Sequence, residues 1–327
     1  MKKLVSIILM IALLLTAAYA EEAAEEKTSL IFTADEIVEA GNTAMKEGDY
    51  TKALAYYELV AKRGYARARN NLGVMYAQGN GVEQSYEKAS EYYRLAADQG
   101  FAPAQNNLAR MYYYGRGVEQ SYEKAAELYK LAADQGLADA QLEMGWLYVH
   151  GVGVERSREK AKEYSQLAAD QGNGPAMNNL GNWYFEEQDY VKAAEYYQQA
   201  ADKGIADAMV NLGTMYYRGE GVEVSDEKAY ELFRQAADLG DPWAMNNLGD
   251  CYETGRGVEQ SYEKAAECYQ KAIEAGSPFG LLSMGMMYLN GYGVEQSTEK
   301  AREYFQKALD MGLEEAAYFL NSIPDGK

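Results

Sequence analysis

Glycines recur along this chain at a fixed interval. Gly64, Gly100, Gly136, Gly172, Gly204, Gly240, Gly276 and Gly312 follow one another at 36 residues, with one 32-residue step between Gly172 and Gly204. The text between them repeats as well. One copy runs Gly73-Val-Met-Tyr-Ala-Gln-Gly-Asn-Gly-Val-Glu-Gln-Ser-Tyr-Glu-Lys-Ala-Ser-Glu-Tyr-Tyr-Arg-Leu-Ala-Ala-Asp-Gln-Gly100, and the others differ by a few substitutions. Self-similarity at this period specifies a stacked array, because one short unit cannot bury its apolar face alone and must lean on its neighbours.

Each unit encodes two helices. Ala104, Leu108, Met111 and Tyr112 fall at i, i+4, i+7 and i+8, on one stripe of a first helix. Pro103 opens it at a position where proline's missing N–H would be unpaired anyway, and Pro175, Pro242 and Pro278 recur at nearly the same phase. Gly115-Arg116-Gly117-Val118 ends it, since glycine takes positive φ at helix ends. Ser-x-x-Lys opens the second helix six times, at Ser85, Ser121, Ser157, Ser225, Ser261 and Ser297. A serine here accepts the unpaired N–H groups of the first turn. Ala89, Tyr93 and Ala96 then mark the inward stripe, the alanines letting helices approach closely.

The two motifs with a chemical alternative are weak as chemistry. Gly-x-Gly lacks a preceding strand and a third glycine, so it is no nucleotide loop. Ser-x-x-Lys is also the spacing of penicillin-binding nucleophiles, but no Ser-Asp-Asn or Lys-Thr-Gly accompanies it. His150 is the single histidine, with no second ligand pattern beside it, so no metal or other cofactor is expected.

The ends and the charge set the compartment and the partner class. Lys2 and Lys3, an apolar run from Leu4 to Leu15 and Ala18-Tyr19-Ala20 form a secretory signal pattern over 1–20, with cleavage expected near Ala20. The apolar run is too short to span a membrane, so an exported chain, periplasmic or secreted, without stable membrane insertion is expected. The formal charge of −19 becomes −21 once residues 1–20, with two lysines and no acids, are removed. Such a surface disfavours nucleic acid as a partner. Cys251 and Cys268 lie in one unit at apolar phases, and the expected compartment permits either a disulfide or two buried thiols.

Leu72-Gly73-x-Met75-Tyr76, the Gly-x-Gly-Val turn, Lys88-Ala89, Tyr92-Tyr93 and Ala96-Ala97-x-x-Gly100 together resemble the Sel-one-like repeat family, relatives of the tetratricopeptide repeat. The resemblance implies an all-α fold, a right-handed alpha-alpha superhelix (solenoid) of about eight helical hairpins plus a C-terminal capping helix. The divisions expected are a signal peptide at 1–20, a disordered acidic lead-in at 21–33, a tetratricopeptide-like hairpin at 34–65, seven repeats over 66–312 with the shortened copy at 173–204, and a capping helix at 313–322 stopped by Pro324. The hairpin at 34–65 and the shortened copy lack the Gly-x-Gly-Val turn, the latter turning at Glu187-Gln188-Asp189-Tyr190.

The same resemblance implies a non-catalytic scaffold or adaptor that binds a protein or peptide in a concave groove lined by the first helices. Two phases carried over from the tetratricopeptide pattern supply its candidates: Asn70, Asn106, Asn178 and Asn246, and then Asn42, Arg110, Trp146, Asn182 and Asp250, with Tyr113 and Tyr217 one turn further on. Asparagine can both donate to and accept from an extended backbone. The Asn70 phase can equally join adjacent repeats. A secreted, cysteine-rich branch of the family is linked to penicillin binding, which makes a cell-wall-active hydrolase using one Ser-x-x-Lys serine the alternative function. The sparse cysteines here depart from that branch.

Overall fold

The computed structural model describes residues 32–323. The expected leader at 1–20, nearly all of the lead-in at 21–33, and Pro324 lie outside them. Among the described residues there are seventeen helices and no strand. They follow one another as an all-α solenoid of about eight repeats, with consecutive helices packed on one another within each of two units.

Among the described residues the two compact units divide between Leu167 and Ala168. The first holds α1 (Ala34–Lys46), α2 (Tyr50–Ala61), α3 (Ala66–Gln78), α4 (Tyr86–Ala97), α5 (Ala102–Tyr114), α6 (Tyr122–Asp134) and α7 (Ala138–His150), and the division falls within α8 (Arg158–Asp170). The second holds α9 (Gly174–Glu186), α10 (Tyr190–Asp202), α11 (Ala206–Arg218), α12 (Asp226–Asp238), α13 (Pro242–Thr254), α14 (Tyr262–Glu274), α15 (Pro278–Asn290), α16 (Thr298–Asp310) and the closing α17 (Glu315–Ser322).

The stripes pack as helical periodicity requires. Ala104, Leu108 and Met111 of α5 are buried, and so are Ala89, Tyr93 and Ala96 of α4. In most hairpins an aromatic ring from the second helix lies over a glycine on the first. A Cβ on Gly181 would come within 2.5 Å of Tyr197, one on Gly213 within 2.7 Å of Phe233, and one on Gly285 within 2.4 Å of Phe305. The glycine therefore lets the two helices of a hairpin close on a flat ring rather than on another side chain, which is how a short repeat reaches core density.

The Gly-x-Gly turn does two jobs at once. Gly115 caps α5 in the left-handed region at φ 65°, its N–H bonded to the carbonyl of Met111. Gly117, also at positive φ, lies so close to the previous hairpin that a Cβ would be 2.1 Å from the Tyr86 carbonyl oxygen. The first glycine ends a helix and the second seats one hairpin on another.

Candidate functional site

In the first unit, one face of α5 carries Asn106, Arg110 and Tyr113 at i, i+4 and i+7, and one face of α7 carries Glu143, Trp146 and His150 at i, i+3 and i+7. Their rings form a continuous cluster in which Trp146 and His150 are exposed and Tyr113 is half-buried. Trp146 stacks on His150 at 4.0 Å with 24° between planes, and the Tyr113 ring meets Trp146 edge-on at 5.9 Å. Tyr114 and Tyr122 close on Tyr113 at 4.8 and 5.3 Å. Trp146 keeps 39% of its surface exposed and Tyr114 55%. Tyr114, Tyr122 and His150 are not among the sequence candidates. The signal for His150 is present as Trp-x-x-x-His, one helical turn apart, and its Nδ1 lies 2.9 Å from the Trp146 carbonyl oxygen.

The polar side of this cluster is incomplete. Asn107 Nδ2 donates to Asn70 Oδ1 at 2.9 Å, and Asn71 Nδ2 donates to Asn42 Oδ1 at 3.0 Å, so amides of successive first helices are linked. The next donor in phase is replaced by Glu143, and Asn106 Oδ1 is left buried without a partner. Burial pushes the Glu143 carboxyl above the usual carboxylate range, with the Arg110 guanidinium pulling it back. Asn70 is itself buried, and Asn42 also accepts from the Tyr57 hydroxyl at 2.8 Å.

The second unit treats its candidates similarly. Asn178 accepts from Asn211 at 3.4 Å and Asn246 from the Ser283 hydroxyl at 3.4 Å. Asn182 accepts from the Tyr197 hydroxyl at 2.7 Å. Asp250 takes the Tyr269 hydroxyl at 2.7 Å, a hydroxyl also 2.6 Å from Glu253. Tyr217 lies under the Arg256 guanidinium at 3.4 Å, and Arg256 pairs with Asp226. These side chains bind neighbouring helices. The Tyr113 and Trp146 cluster instead presents ring surface outward.

Cys251 and Cys268 are free thiols, 1% and 8% exposed. Burial pushes them up to about 12 and about 11, with Asp250 and Asp226 adding to the first. At those values both remain protonated near neutrality and behave as small apolar groups.

The six Ser-x-x-Lys serines all cap helices. Each Oγ accepts the N–H of its own lysine at 3.2 or 3.3 Å. In five of the six, as at Ser121, the hydroxyl also donates to the glutamate two residues on. The lysine ammonium groups lie over a tyrosine of the preceding helix, 4.7 to 5.3 Å from the ring centre, as with Lys88 over Tyr76, Lys228 over Tyr216 and Lys264 over Tyr252. A nucleophilic serine needs a base on its hydroxyl, and here the cation is turned to an aromatic face. Among the described residues no group of His, Cys, Asp and Glu is placed to hold a metal, and no helix is long and apolar enough to cross a membrane.

The family model of the Sel1 repeat matches this chain eight times, at residues 38–65, 66–101, 102–137, 138–173, 174–205, 206–241, 244–277 and 278–313. No curated protein sequence matches. Among solved structures, c5321 of uropathogenic Escherichia coli, a protective antigen displaying an SLR fold, is 32% identical with a TM-score of 0.78 over 91% of this chain. The chain spans 66% of that protein's length, just under two thirds. A Sel1 repeat protein of Oxalobacter formigenes is 28% identical with a TM-score of 0.67, over 97% of this chain and 93% of its own. PilF of Pseudomonas aeruginosa, 21% identical with a TM-score of 0.50 over 68% of this chain and 98% of its own, shares the fold.

Proposed function

The chain belongs to the Sel1 repeat family, whose repeats generally mediate protein interactions without catalysis, and on that premise we propose that it is an exported scaffold that holds a peptide segment of another protein against α5 and α7. The observation that carries this reading is the ring cluster in which exposed Trp146 and His150 stack beside half-buried Tyr113. Large aromatic side chains left in water on a folded surface mark contact sites, and tryptophan and tyrosine dominate their energetics.

The division of labour follows from the chemistry. Trp146 and Tyr113 receive an apolar or aromatic side chain of the ligand. Arg110 is exposed and has no carboxylate at ion-pair distance among the described residues, so it takes a ligand carboxylate or carbonyl. The leader pattern over residues 1–20 supports export, and the mass of the exported chain, expected to begin at Glu21, tests that part.

Selection of displayed random peptides on the whole mature chain tests the site. Enriched peptides are expected to lose about tenfold or more in affinity on Trp146→Ala or Tyr113→Ala, the loss typical of a hot-spot aromatic. Peptides that bind the wild type and both variants alike would remove the site from α5 and α7.

A further inference from the structure

The second unit carries another surface that the hairpin architecture does not require. At the open end of its last hairpins, where each second helix gives way to the next first helix, the period is broken by apolar side chains. Leu239 stands where Gln99, Gln135, Gln171 and Lys203 stand in earlier copies, and Trp243 where Pro103, Asp139, Pro175 and Asp207 stand. Phe279 and Met311 fill the corresponding phases one and two hairpins on. Leu239, Trp243 and Met311 are each more than half exposed, and Trp243 and Phe279 meet with ring centroids 4.4 Å apart. Tyr318 on α17 is 73% exposed. At these two phases every earlier copy carries a polar residue or proline, so these side chains answer no demand of the fold.

Their surroundings are acidic. The three stretches 238–243, 274–279 and 310–318 hold Asp238, Asp241, Glu274, Asp310, Glu314 and Glu315 and no lysine or arginine. Of the cations one turn back on the same helices, Arg234 is paired with Glu231 and Asp238, and Lys307 lies over Tyr304. Lys271 is the third. An apolar strip rimmed by carboxylates selects one kind of occupant. A second copy of this chain would bring the same six acids against it, and an anionic lipid surface would be repelled.

We propose that the open edge formed by Leu239, Trp243, Phe279 and Met311 docks a basic amphipathic segment of a partner protein, its apolar stripe on Trp243 and Phe279 and its lysines or arginines on the surrounding carboxylates. Helical segments with a basic face and an apolar face have this chemistry. The surface is separate in residues from the α5 and α7 site and stands or falls independently of it.

The experiment uses the whole chain and a fluorescently labelled peptide of leucine and lysine with leucines at i, i+3, i+4 and i+7, beside a rearranged peptide of equal composition without the stripe. Anisotropy titrations are expected to show the striped peptide binding, more weakly as salt is raised, and the rearranged peptide binding less. Trp243→Asp installs the residue type found at Asp139 and Asp207, so the turn is expected to keep its fold. It removes the apolar anchor while adding a negative charge, and affinity for the striped peptide is expected to fall about tenfold. Plain attraction between a basic peptide and an acidic protein would instead be unchanged or strengthened, and that outcome overturns the proposal. Leu239→Gln gives the same reading if circular dichroism shows that Trp243→Asp disturbs the helices. Equal binding of the two peptides, or a wild-type dimer in sedimentation that Trp243→Asp dissolves, also overturns it, the latter in favour of a second copy as occupant.

Discussion

Replacing Asp250 by asparagine is expected to stabilise the protein at neutral pH. The Tyr269 hydroxyl lies 2.7 Å from Asp250 Oδ1 and 2.6 Å from Glu253 Oε2, and the Tyr269 side chain is fully buried. A phenol has one proton. With both carboxylates ionised, one of these two short oxygen contacts has no hydrogen between its atoms. Two other copies solve the same problem with an amide: Tyr57 donates to Asn42 at 2.8 Å and Tyr197 to Asn182 at 2.7 Å. Burial, with the Glu253 charge behind it, pushes the Asp250 carboxyl above its ordinary value of 3.8, against the hydrogen bond from Tyr269 that pulls it down.

A carboxyl whose folded value is raised retains its proton in the folded chain where the unfolded chain has already lost it. Its contribution is therefore fully present below the ordinary value and is lost as pH climbs through the folded one. The Asp250→Asn variant would have no such loss, and its amide oxygen would still accept from Tyr269. The variant should match the wild type at low pH and exceed it at neutrality by about 1 to 2 kcal/mol, the scale of one buried polar contact left unsatisfied. Urea unfolding between about pH 4 and pH 8 reads the difference, with equal denaturant slopes showing that the unfolded states are comparable. A variant less stable at neutral pH, or a difference that does not change with pH, would refute the argument that Asp250 lacks a proton there.

Gln188 at φ 61° is the one non-glycine residue at positive φ among the described residues, in the turn where the first hairpin has Gly48 at φ 77°. Gln188→Gly should stabilise by about 1 kcal/mol in chemical denaturation, and a loss of stability would contradict the strain assigned there. Ser121→Ala removes the acceptor for the Lys124 N–H and should lower stability by about 1 kcal/mol while leaving peptide affinity unchanged. Gly117→Ala should lose about 2 to 4 kcal/mol because its Cβ strikes the Tyr86 backbone, whereas Gly100→Ala, whose Cβ meets nothing within 4 Å, should lose only the roughly 1 to 2 kcal/mol of the left-handed conformation. Equal losses in the two would mean that the second glycine of the turn does not seat one hairpin on the next.

The repeat made nearly every helix legible, because caps, turn glycines and stripes recur at the same phase and each has a local cause. Ser85 caps α4 for the same reason that Ser297 caps α16. Partners between helices were harder to see. Asn70, Asn106, Asn178 and Asn246 share a phase, yet three of them accept from the next first helix and Asn106 Oδ1 does not. That difference is decided not by Asn106 but by Glu143 on the following first helix, so comparing equivalent positions misses it and comparing facing positions finds it. His150 and Trp243 show the same from the other side. Within a repeat, identity at a phase reports what the fold needs, since every copy solves the same packing problem. A departure reports a demand made from outside the copy, whether a neighbouring helix, as at Asn106, or a partner, as is proposed for Trp146 and Trp243. The residues most informative about function in such an array are therefore the ones that break its period while remaining in water.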